Sequence, residues 1–380
     1  MENSPKAIRC KAAVCRGNGE PLLIEDVVVA PPKAFEVRIK IICTSLCHSD
    51  LTFWRGQAFS QAFPRIFGHE AYGVVESVGE GVEEVAPGDA VVPTFLSNCG
   101  ECRNCLSEKN NICTTVPFRV QPGMPRDGTL PITDAEGQPV GNFLGVSSFS
   151  EYTVVDIAQV AKVDVAIPPE KACLLSCGVS TGVGAAWKVA AVEEGSTVAI
   201  FGLGAVGLAV AEGSRRRGAA KIIGVDLNPE KFEIGKKFGL TDFVNPTEIG
   251  EKSLDEIIKE MTNGGADYCF ECIGLASLMK DAFYSSRMGA GKTIILGVEM
   301  HGEPVSIEST RLLEGRCIMG SLFGGIKAKS DIPTLAKQYL NEELRLDGFI
   351  THEVGFKDIN KAFDLLVQGK SIRCIIWMDQ

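Results

Sequence analysis

Four cysteines stand close together in the first third of the chain, and their spacing is the strongest local constraint on its fold. They are Cys99, Cys102, Cys105 and Cys113. Four thiolates at this spacing can complete a tetrahedral shell around one Zn²⁺ ion. A bacterial ferredoxin cluster would bring the fourth cysteine sooner and follow it with proline, whereas Thr114 follows here. Because thiolates would fill all four positions, we predict a structural zinc that shapes a lobe over residues 95–115.

A glycine-rich motif, Gly202-Leu203-Gly204-Ala205-Val206-Gly207, lies between an apolar strand pattern and a helical pattern. Such glycines permit a tight turn and let a pyrophosphate approach the N-terminus of the helix. Asp226 ends the next strand pattern, where its carboxylate can accept hydrogen bonds from an adenosine ribose and would repel a 2′-phosphate. NAD is therefore favoured over NADP, and the predicted cofactor-binding residues here are Gly202, Gly204, Val206, Gly207 and Asp226.

The succession of patterns predicts an α/β fold in two domains, since 380 residues exceed one ordinary core. Roughly the first 175 residues show short β-branched runs punctuated by glycine and proline, which are typical of a mainly-β domain. From about residue 180, buried strand patterns alternate with helical ones, and this order predicts a doubly wound parallel sheet. A helix pattern and a last strand pattern form the tail.

The net charge and the lengths of the apolar runs argue against some classes of binding partner. The formal net charge of −10 argues against nucleic acid, because binding phosphates needs a basic surface. The apolar runs are too short to cross a membrane, and the N-terminal segment lacks the features of an export signal. We therefore expect a cytoplasmic protein whose fourteen cysteines serve as metal ligands or small buried residues.

Three further residues are candidates for a second metal site, although they are far apart in the sequence. Cys47, His69 and Cys177 each stand in a short polar or glycine-containing stretch. Spacing alone does not connect them, and a histidine among apolar residues is more often part of a core than a ligand. From the residues themselves, a joint site and three unrelated buried side chains both remain open.

Several stretches together resemble the medium-chain zinc-dependent alcohol dehydrogenases, and in particular the plant alcohol dehydrogenase and alcohol dehydrogenase-like branch. The resemblance covers nearly the whole chain. It is carried by residues 41–50, 67–79, 175–182 and 270–274, by the four-cysteine lobe and by the glycine motif. It implies a GroES-like, mainly-β catalytic domain formed by residues 1–178 and 321–380, with a Rossmann NAD-binding domain at 179–320. It also implies a homodimer formed through the coenzyme domains and two zinc ions per subunit.

The resemblance assigns the second metal site. The positions of Cys47, His69 and Cys177 match those that bind the catalytic zinc in this family, which leaves a fourth position for substrate. Glu70 matches a residue close to that metal. Asp50 is expected to bind the far nitrogen of His69, the usual way in which a ligating imidazole is oriented.

Other family positions imply a proton relay and further cofactor contacts. Ser49 is expected to begin the relay, and His48 to lie near the pyrophosphate, where it can exchange the proton with solvent. Thr52 stands where animal liver enzymes end their relay in a histidine. Lys231 should flank the adenosine ribose, and Arg373 should reach the pyrophosphate.

The function implied by the resemblance is reversible transfer of a hydride between an alcohol and NAD. Pro117 replaces the arginine of the glutathione-dependent formaldehyde branch, which makes that substrate unexpected. Two alternatives remain: a zinc-dependent lyase on the same scaffold, for example one that cleaves cyanohydrins, and a catalytically silent member of the family.

Overall fold

The computed structural model describes residues 5–56 and 62–379, which fall into two units. The first unit comprises Met1–Cys177, Lys327–Glu342 and Phe349–Gln380. The second comprises Gly178–Ile326 and Glu343–Gly348. Among the described residues, no helix is both long enough and apolar enough to cross a membrane.

Within its described residues, the first unit begins with nine strands and three short α-helices. The strands are β1 (Ile8–Cys15), β2 (Leu23–Val29), β3 (Glu36–Ser45), β4 (Arg65–Ile66), β5 (Glu70–Val78), β6 (Ala90–Pro93), β7 (Ile132–Asp134), β8 (Tyr152–Asp156) and β9 (Val160–Lys162). The helices are α1 (His48–Trp54), α2 (Arg103–Leu106) and α3 (Pro169–Leu174).

The second unit alternates strands and helices. Its strands are β10 (Thr197–Phe201), β11 (Lys221–Val225), β12 (Asp242–Val244), β13 (Tyr268–Glu271), β14 (Lys292–Ile295) and β15 (Cys317–Gly320). Its helices are α4 (Gly178–Gly184), α5 (Ala205–Arg216), α6 (Glu230–Lys237), α7 (Leu254–Met261), α8 (Ala276–Ser285) and α9 (Ser309–Leu313). A π-helical turn, Ala185–Val189, follows α4.

The last elements belong to the first unit and complete its sheets. They are α10 (Ala328–Leu340), β16 (Ile350–Gly355), α11 (Ile359–Val367) and β17 (Arg373–Trp377). One sheet has the order β4-β1-β2-β7, and the other the order β16-β17-β3-β5-β6-β9 with β8 also paired to β3. The tail therefore returns to pair β17 with β3, which carries the chain into the candidate site.

Six parallel strands form the sheet of the second unit, in the order β12-β11-β10-β13-β14-β15. Residues Val198 to Phe201 of β10 are fully buried. A nearly continuous apolar run of this kind is typical of parallel strands that are covered on both faces. The predicted doubly wound sheet is thus present.

The units differ from the predicted domain boundaries at three places, because Gly178 and residues 321–326 and 343–348 belong to the second unit. Gly324 packs so tightly against α4 that a methyl group on Gly184 would lie 2.5 Å from its carbonyl oxygen. Farther along, the backbone N–H of Arg345 donates to Oε1 of Glu212 at 3.0 Å. These contacts hold both segments against α4 and α5, which sequence patterns alone did not indicate.

Candidate functional site

The three dispersed residues of the predicted catalytic site converge in the first unit, and Glu70 joins them. One ligand atom from each of Cys47, His69, Glu70 and Cys177 lies within 4.8 Å of all the others. Cys47 is the N-cap of α1, directly after β3, and Glu70 opens β5. Because Ser45 is paired with Glu70 across these strands, the end of β3 meets the start of β5. Strand register therefore assembles residues that are distant in sequence.

Asp50 fixes the orientation of the imidazole. Its Oδ1 lies 3.2 Å from Nδ1 of His69, the contact expected from the sequence, and also accepts the backbone N–H of Gly68 at 3.0 Å. Its Oδ2 accepts the N–H of Cys47 at 3.0 Å. Nε2 of His69 is buried and forms no hydrogen bond within the described part of the chain. A buried imidazole nitrogen of this kind, with the other nitrogen held by a carboxylate, is arranged as a metal ligand.

The two thiols beside His69 fit zinc as well. Hydrogen bonding from Cys177, together with the charge of Arg373, outweighs burial and lowers the pKa of Cys47 well below its usual value. The pKa of Cys177 is raised well above its usual value, because the neighbouring Cys47 sulfur holds the negative charge and the site is buried. Burial and the closeness of the two sulfurs thus work against ionisation of both thiols at once. A divalent cation with a preference for sulfur and nitrogen would let both ionise.

Glu70 is held by Arg373, a contact that the sequence interpretation did not predict. Nε and Nη2 of Arg373 donate to the two carboxylate oxygens of Glu70, each at 2.9 Å, and Nη2 also lies 3.4 Å from Sγ of Cys47. Burial raises the pKa of Glu70 to about 7, although the Arg373 charge opposes this rise. Arg373 was predicted to reach the pyrophosphate. Its guanidinium lies against Glu70 and Cys47, at the edge of the metal cluster, and the contact with the pyrophosphate stays a prediction.

The predicted relay residues lie on α1, and they differ in what their side chains contact. Oγ of Ser49 is 3.9 Å from Sγ of Cys47. Oγ1 of Thr52 donates to the carbonyl of His48 at 2.9 Å, so this hydroxyl serves the helix backbone. His48 itself is exposed. Of these side chains, Ser49 therefore has its hydroxyl next to the cluster, while the Thr52 hydroxyl is bonded to the helix backbone.

Two phenylalanines that sequence reasoning missed form walls beside His69. The His69 ring meets Phe95 at 6.1 Å and Phe143 at 5.6 Å between ring centroids, both edge to face. Phe53 and Phe67 pack on Phe143 in turn, at 5.0 and 5.2 Å. Phe95 comes shortly after β6, and its position at a strand end was the only signal in the sequence. Phe95 and Phe143 therefore place apolar surface against His69.

The four-cysteine lobe has the geometry of a closed metal site. The sulfurs of Cys99, Cys102, Cys105 and Cys113 lie within 4.8 Å of one another. Backbone N–H groups approach these sulfurs at 3.3 to 3.4 Å, for example from Cys102 to Cys99 and from Cys105 to Cys102. Such donors stabilise thiolates, as a structural zinc site requires.

The pKa values of the cysteine thiols in the lobe also favour a structural zinc site. Burial opposes ionisation of Cys102, but hydrogen bonds from the Thr114 and Cys105 backbone lower its pKa to about 5. Burial and the neighbouring Cys102 sulfur raise the pKa of Cys105 to about 12. Neighbouring thiols therefore cannot all ionise without a cation among them, and four sulfurs with no open position fit a structural zinc.

In the second unit, the glycine motif forms the turn between β10 and α5. Gly202 has a φ of 95°, in the left-handed region that favours glycine. A methyl group at Gly207 would lie 1.8 Å from the carbonyl oxygen of Gly202, so only glycine fits there. Oδ2 of Asp226 accepts the N–H of Leu203 at 2.8 Å and pairs with Nζ of Lys231 at 3.0 Å. The turn, Asp226 and Lys231 are therefore brought together, as a dinucleotide site requires.

Comparison with known proteins decides the family. Residues 33–165 match the alcohol dehydrogenase GroES-like domain, and residues 205–341 match the zinc-binding dehydrogenase domain. The chain is 59% identical over 379 residues to alcohol dehydrogenase-like 7 of Arabidopsis thaliana, covering 99% of this chain and 97% of that protein. The chain belongs to the medium-chain zinc-dependent alcohol dehydrogenase family. Alcohol dehydrogenase 1 of Petunia hybrida, 50% identical with 98% of each chain covered, also supports the plant branch.

Solved structures of alcohol dehydrogenases share the fold. A zinc-binding domain protein of this family from Burkholderia ambifaria matches with a TM-score of 0.90 at 30% identity, over 98% of this chain and 100% of that one. Benzyl alcohol dehydrogenase from Acinetobacter calcoaceticus matches with a TM-score of 0.86 at 27% identity, over 98% and 99%. The predicted GroES-like and Rossmann architecture is confirmed, and this alcohol dehydrogenase family member is an oxidoreductase by descent. Zinc and NAD(H), the predicted cofactors, are confirmed at the level of the family.

Proposed function

We propose that this protein is an NAD-dependent alcohol dehydrogenase that reversibly oxidises a primary or secondary alcohol to an aldehyde or ketone. The proposal rests on the arrangement of the two imidazole nitrogens of His69. Its Nδ1 is held by Asp50, and its Nε2 is buried without a partner among the described residues, beside Cys47 and Cys177. These three residues would hold the catalytic zinc, and the four-cysteine lobe would hold the structural zinc.

The side chains of the first unit supply the environment for the reaction. When bound, zinc acts as a Lewis acid that polarises the substrate oxygen. Asp50 keeps His69 in the tautomer that leaves Nε2 free to ligate, and Arg373 holds Glu70 beside the cluster. Phe95 and Phe143 exclude water from the space next to His69.

Ser49 and His48 are proposed to move the proton that the alcohol loses. Ser49 lies next to Cys47, where its hydroxyl can accept the proton and pass it on. His48 is exposed and can release it to solvent. The relay does not need Thr52, whose hydroxyl is bonded to the backbone.

We propose NAD rather than NADP because of the charge at the end of β11. The backbone of the turn at Gly202, Gly204, Val206 and Gly207 would hold the pyrophosphate at the N-terminus of α5. Asp226, paired with Lys231, would accept the ribose hydroxyls and repel a 2′-phosphate. Contact between Arg373 and the pyrophosphate remains part of the proposal.

A homodimer through the second unit is proposed on the exposure of its sheet edge. β15 is the last strand of the parallel sheet, and Leu313 just before it is 87% exposed. An unpaired edge with apolar neighbours is suited to pairing with a second copy. Sedimentation should give twice the mass of the chain, and Leu313→Glu should shift it toward the monomer.

The cysteine ligands of the two proposed zinc sites bear on the cellular location of the protein. Both proposed zinc sites use cysteine thiolates, which persist in a reducing environment. We therefore propose a cytoplasmic location.

The function is tested by incubating the zinc-loaded protein with a panel of alcohols and either NAD or NADP. We expect alcohol-dependent absorbance of NADH, with NAD preferred to NADP. Benzyl alcohol belongs in the panel, since a structural relative is named for it. A cyanohydrin is assayed in parallel for release of its carbonyl. Cyanohydrin cleavage with no NADH from any alcohol would establish the lyase instead, and inactivity toward both would indicate a silent member of the family.

A further inference from the structure

A buried arginine in the first unit has few hydrogen-bonding partners. Arg65, in β4, is fully buried. Its Nη2 donates to the carbonyl of Val120 at 3.4 Å, which is a long contact. Its Nε and Nη1 form no hydrogen bond with any residue that the structure describes. The guanidinium is therefore removed from water while two of its three nitrogens have no acceptor in the described chain.

The charge of Arg65 also lacks a counterion in the part of the chain that the structure describes. The other buried arginines there each contact a glutamate, in the pairs Arg38–Glu76, Arg316–Glu314 and Arg373–Glu70. Cys15 lies opposite Arg65 in the pairing of β1 with β4, but burial raises the pKa of its thiol to about 11, so it is neutral at neutral pH. Burial lowers the pKa of Arg65 only to about 10, and the guanidinium keeps its proton. Arg65 thus holds an uncompensated positive charge.

A buried charge of this kind destabilises the fold that contains it. Taking an ionised group out of water is unfavourable unless a partner replaces the water, and an apolar side chain of similar length would avoid that cost. Buried ionisable groups that a protein tolerates in this way are concentrated at functional sites. The surroundings of Arg65 therefore bear on its role.

One aromatic ring separates Arg65 from the proposed catalytic zinc site. Cζ of Arg65 lies 5.7 Å from the centre of the Phe143 ring, and that centre lies 5.6 Å from the centre of the His69 imidazole. Phe143 and the adjoining Phe67 are fully buried, so apolar side chains and not solvent lie beside the guanidinium. At a separation of roughly 10 Å and an effective dielectric constant of about 20, one unit charge changes the affinity for another by about 10-fold. Arg65 can thus act on a ligand beside His69 without touching it.

We propose that the uncompensated charge of Arg65 favours negative charge on a ligand beside His69, so that the metal site binds small carboxylates in preference to neutral ligands of the same shape. A carboxylate carries this charge permanently, and the oxygen of an alcohol gains it as the proton leaves. The inference rests on the zinc site assigned under the proposed function, but it does not require turnover.

The test compares acetate with acetamide, which share a shape and differ in charge. Their binding is measured by calorimetry on zinc-loaded wild-type protein and on Arg65→Met and Arg65→Leu, two changes that remove the charge. Each folded variant should show a ratio of acetate to acetamide affinity that is about 3- to 10-fold lower than that of the wild type. An unchanged ratio in a folded variant, or no acetate binding to the wild type, would overturn the proposal.

Two further variants separate charge from packing. Arg9→Met makes the same change at an arginine whose side chain is 67% exposed, and it should keep the wild-type ratio. Arg65→Lys retains a positive charge, and at pH 6, where a buried ammonium keeps its proton more readily, it should retain most of the preference for acetate. A loss as large as that in Arg65→Met would assign the effect to packing around Phe143 and overturn the proposal.

Melting temperatures test the missing counterion without any ligand. At least one of Arg65→Met and Arg65→Leu should melt at or above the wild-type temperature, because an apolar side chain replaces an unpaired charge. Arg38→Met, at a buried arginine that is paired with Glu76, should melt lower. If both Arg65 variants melt below the wild type or do not fold, Arg65 has a stabilising partner and the proposal is overturned.

These measurements keep the inference separate from the proposed dehydrogenase activity. If no alcohol is oxidised but the ratio of acetate to acetamide affinity depends on Arg65, the dehydrogenase activity fails and the inference stands. If alcohols are oxidised and the ratio does not depend on Arg65, the inference alone fails.

Discussion

At the scale of single residues, the proposed catalytic zinc site depends on how Asp50 holds His69. Asp50 is fully buried and uses both carboxylate oxygens, on the imidazole and on two backbone N–H groups. A ligating histidine that loses its carboxylate partner loses both orientation and basicity. Asp50 is therefore a positioning residue for the metal site.

We predict that Asp50→Asn lowers the zinc affinity of the Cys47–His69–Cys177 site by about 10- to 100-fold while the lobe zinc is retained. Competition with a chromophoric chelator measures both affinities on one sample. Asp364→Asn, at an exposed position of α11, is the matched control and should leave both unchanged. Unaltered affinity in the Asp50 variant would show that the carboxylate does not orient the ligand.

The glycines of the β10–α5 turn give a second prediction at this scale. Gly207→Ala places a methyl group 1.8 Å from the carbonyl oxygen of Gly202, whereas nothing lies within 4 Å of a methyl group at Gly204. Gly207→Ala should therefore lower the free energy of unfolding by about 1–3 kcal/mol. Gly204→Ala should lower it by less. Chemical denaturation of the two proteins checks this, and equal stability would contradict the close packing of the turn.

At the scale of elements, β3 and β5 are joined by an ion pair as well as by backbone pairing. Nε of Arg38 donates to Oε2 of Glu76 at 2.6 Å, and Arg38 is 1% exposed. Partial burial would raise the pKa of Glu76, but the Arg38 guanidinium outweighs it and lowers that pKa. The pair therefore stabilises the folded protein while Glu76 is ionised.

Because the pKa of Glu76 is lowered in the folded protein, the stability that this ion pair contributes should decrease as pH falls. A carboxylate whose pKa is lower in the folded than in the unfolded protein contributes stability above the unfolded value, and loses it as pH falls through the folded value. Glu76→Gln should thus lower the melting temperature by roughly 2–4 °C near neutral pH. The difference from wild type should shrink below about pH 4.5. Glu83→Gln, at an exposed position, is the control, and a difference independent of pH would contradict the ion-pair explanation.

The amino-acid sequence predicted those parts of the structure whose contacting residues lie close together along the chain. The four-cysteine lobe and the glycine turn each lie within a few residues, so spacing alone indicated their geometry. Arg373 and Glu70 are 303 positions apart, and only the pairing of β17 with β3 brings them together. The same holds for Phe95 and Phe143 beside His69. Spacing carries no information about such contacts, because they depend on strand order and register.

At the scale of the whole molecule, the chain is predicted to bind two zinc ions with different roles. Cys102→Ala should lose the lobe zinc and lower the melting temperature, because binding a structural zinc contributes to folding. Cys47→Ala should lose the other zinc and all activity, with a much smaller change in melting temperature. Zinc content and thermal unfolding measured on both variants check this. Equal destabilisation by the two changes would contradict the division of roles.

We propose that a hydride passes directly from an alcohol carbon to NAD. The most direct measurement follows deuterium from a 1,1-dideuterated primary alcohol oxidised by the zinc-loaded protein with unlabelled NAD. Mass spectrometry of the recovered cofactor should show one deuterium atom on the nicotinamide for each aldehyde formed. Aldehyde produced with an unlabelled cofactor would contradict direct hydride transfer, and no aldehyde from any dideuterated alcohol tested would contradict the dehydrogenase function.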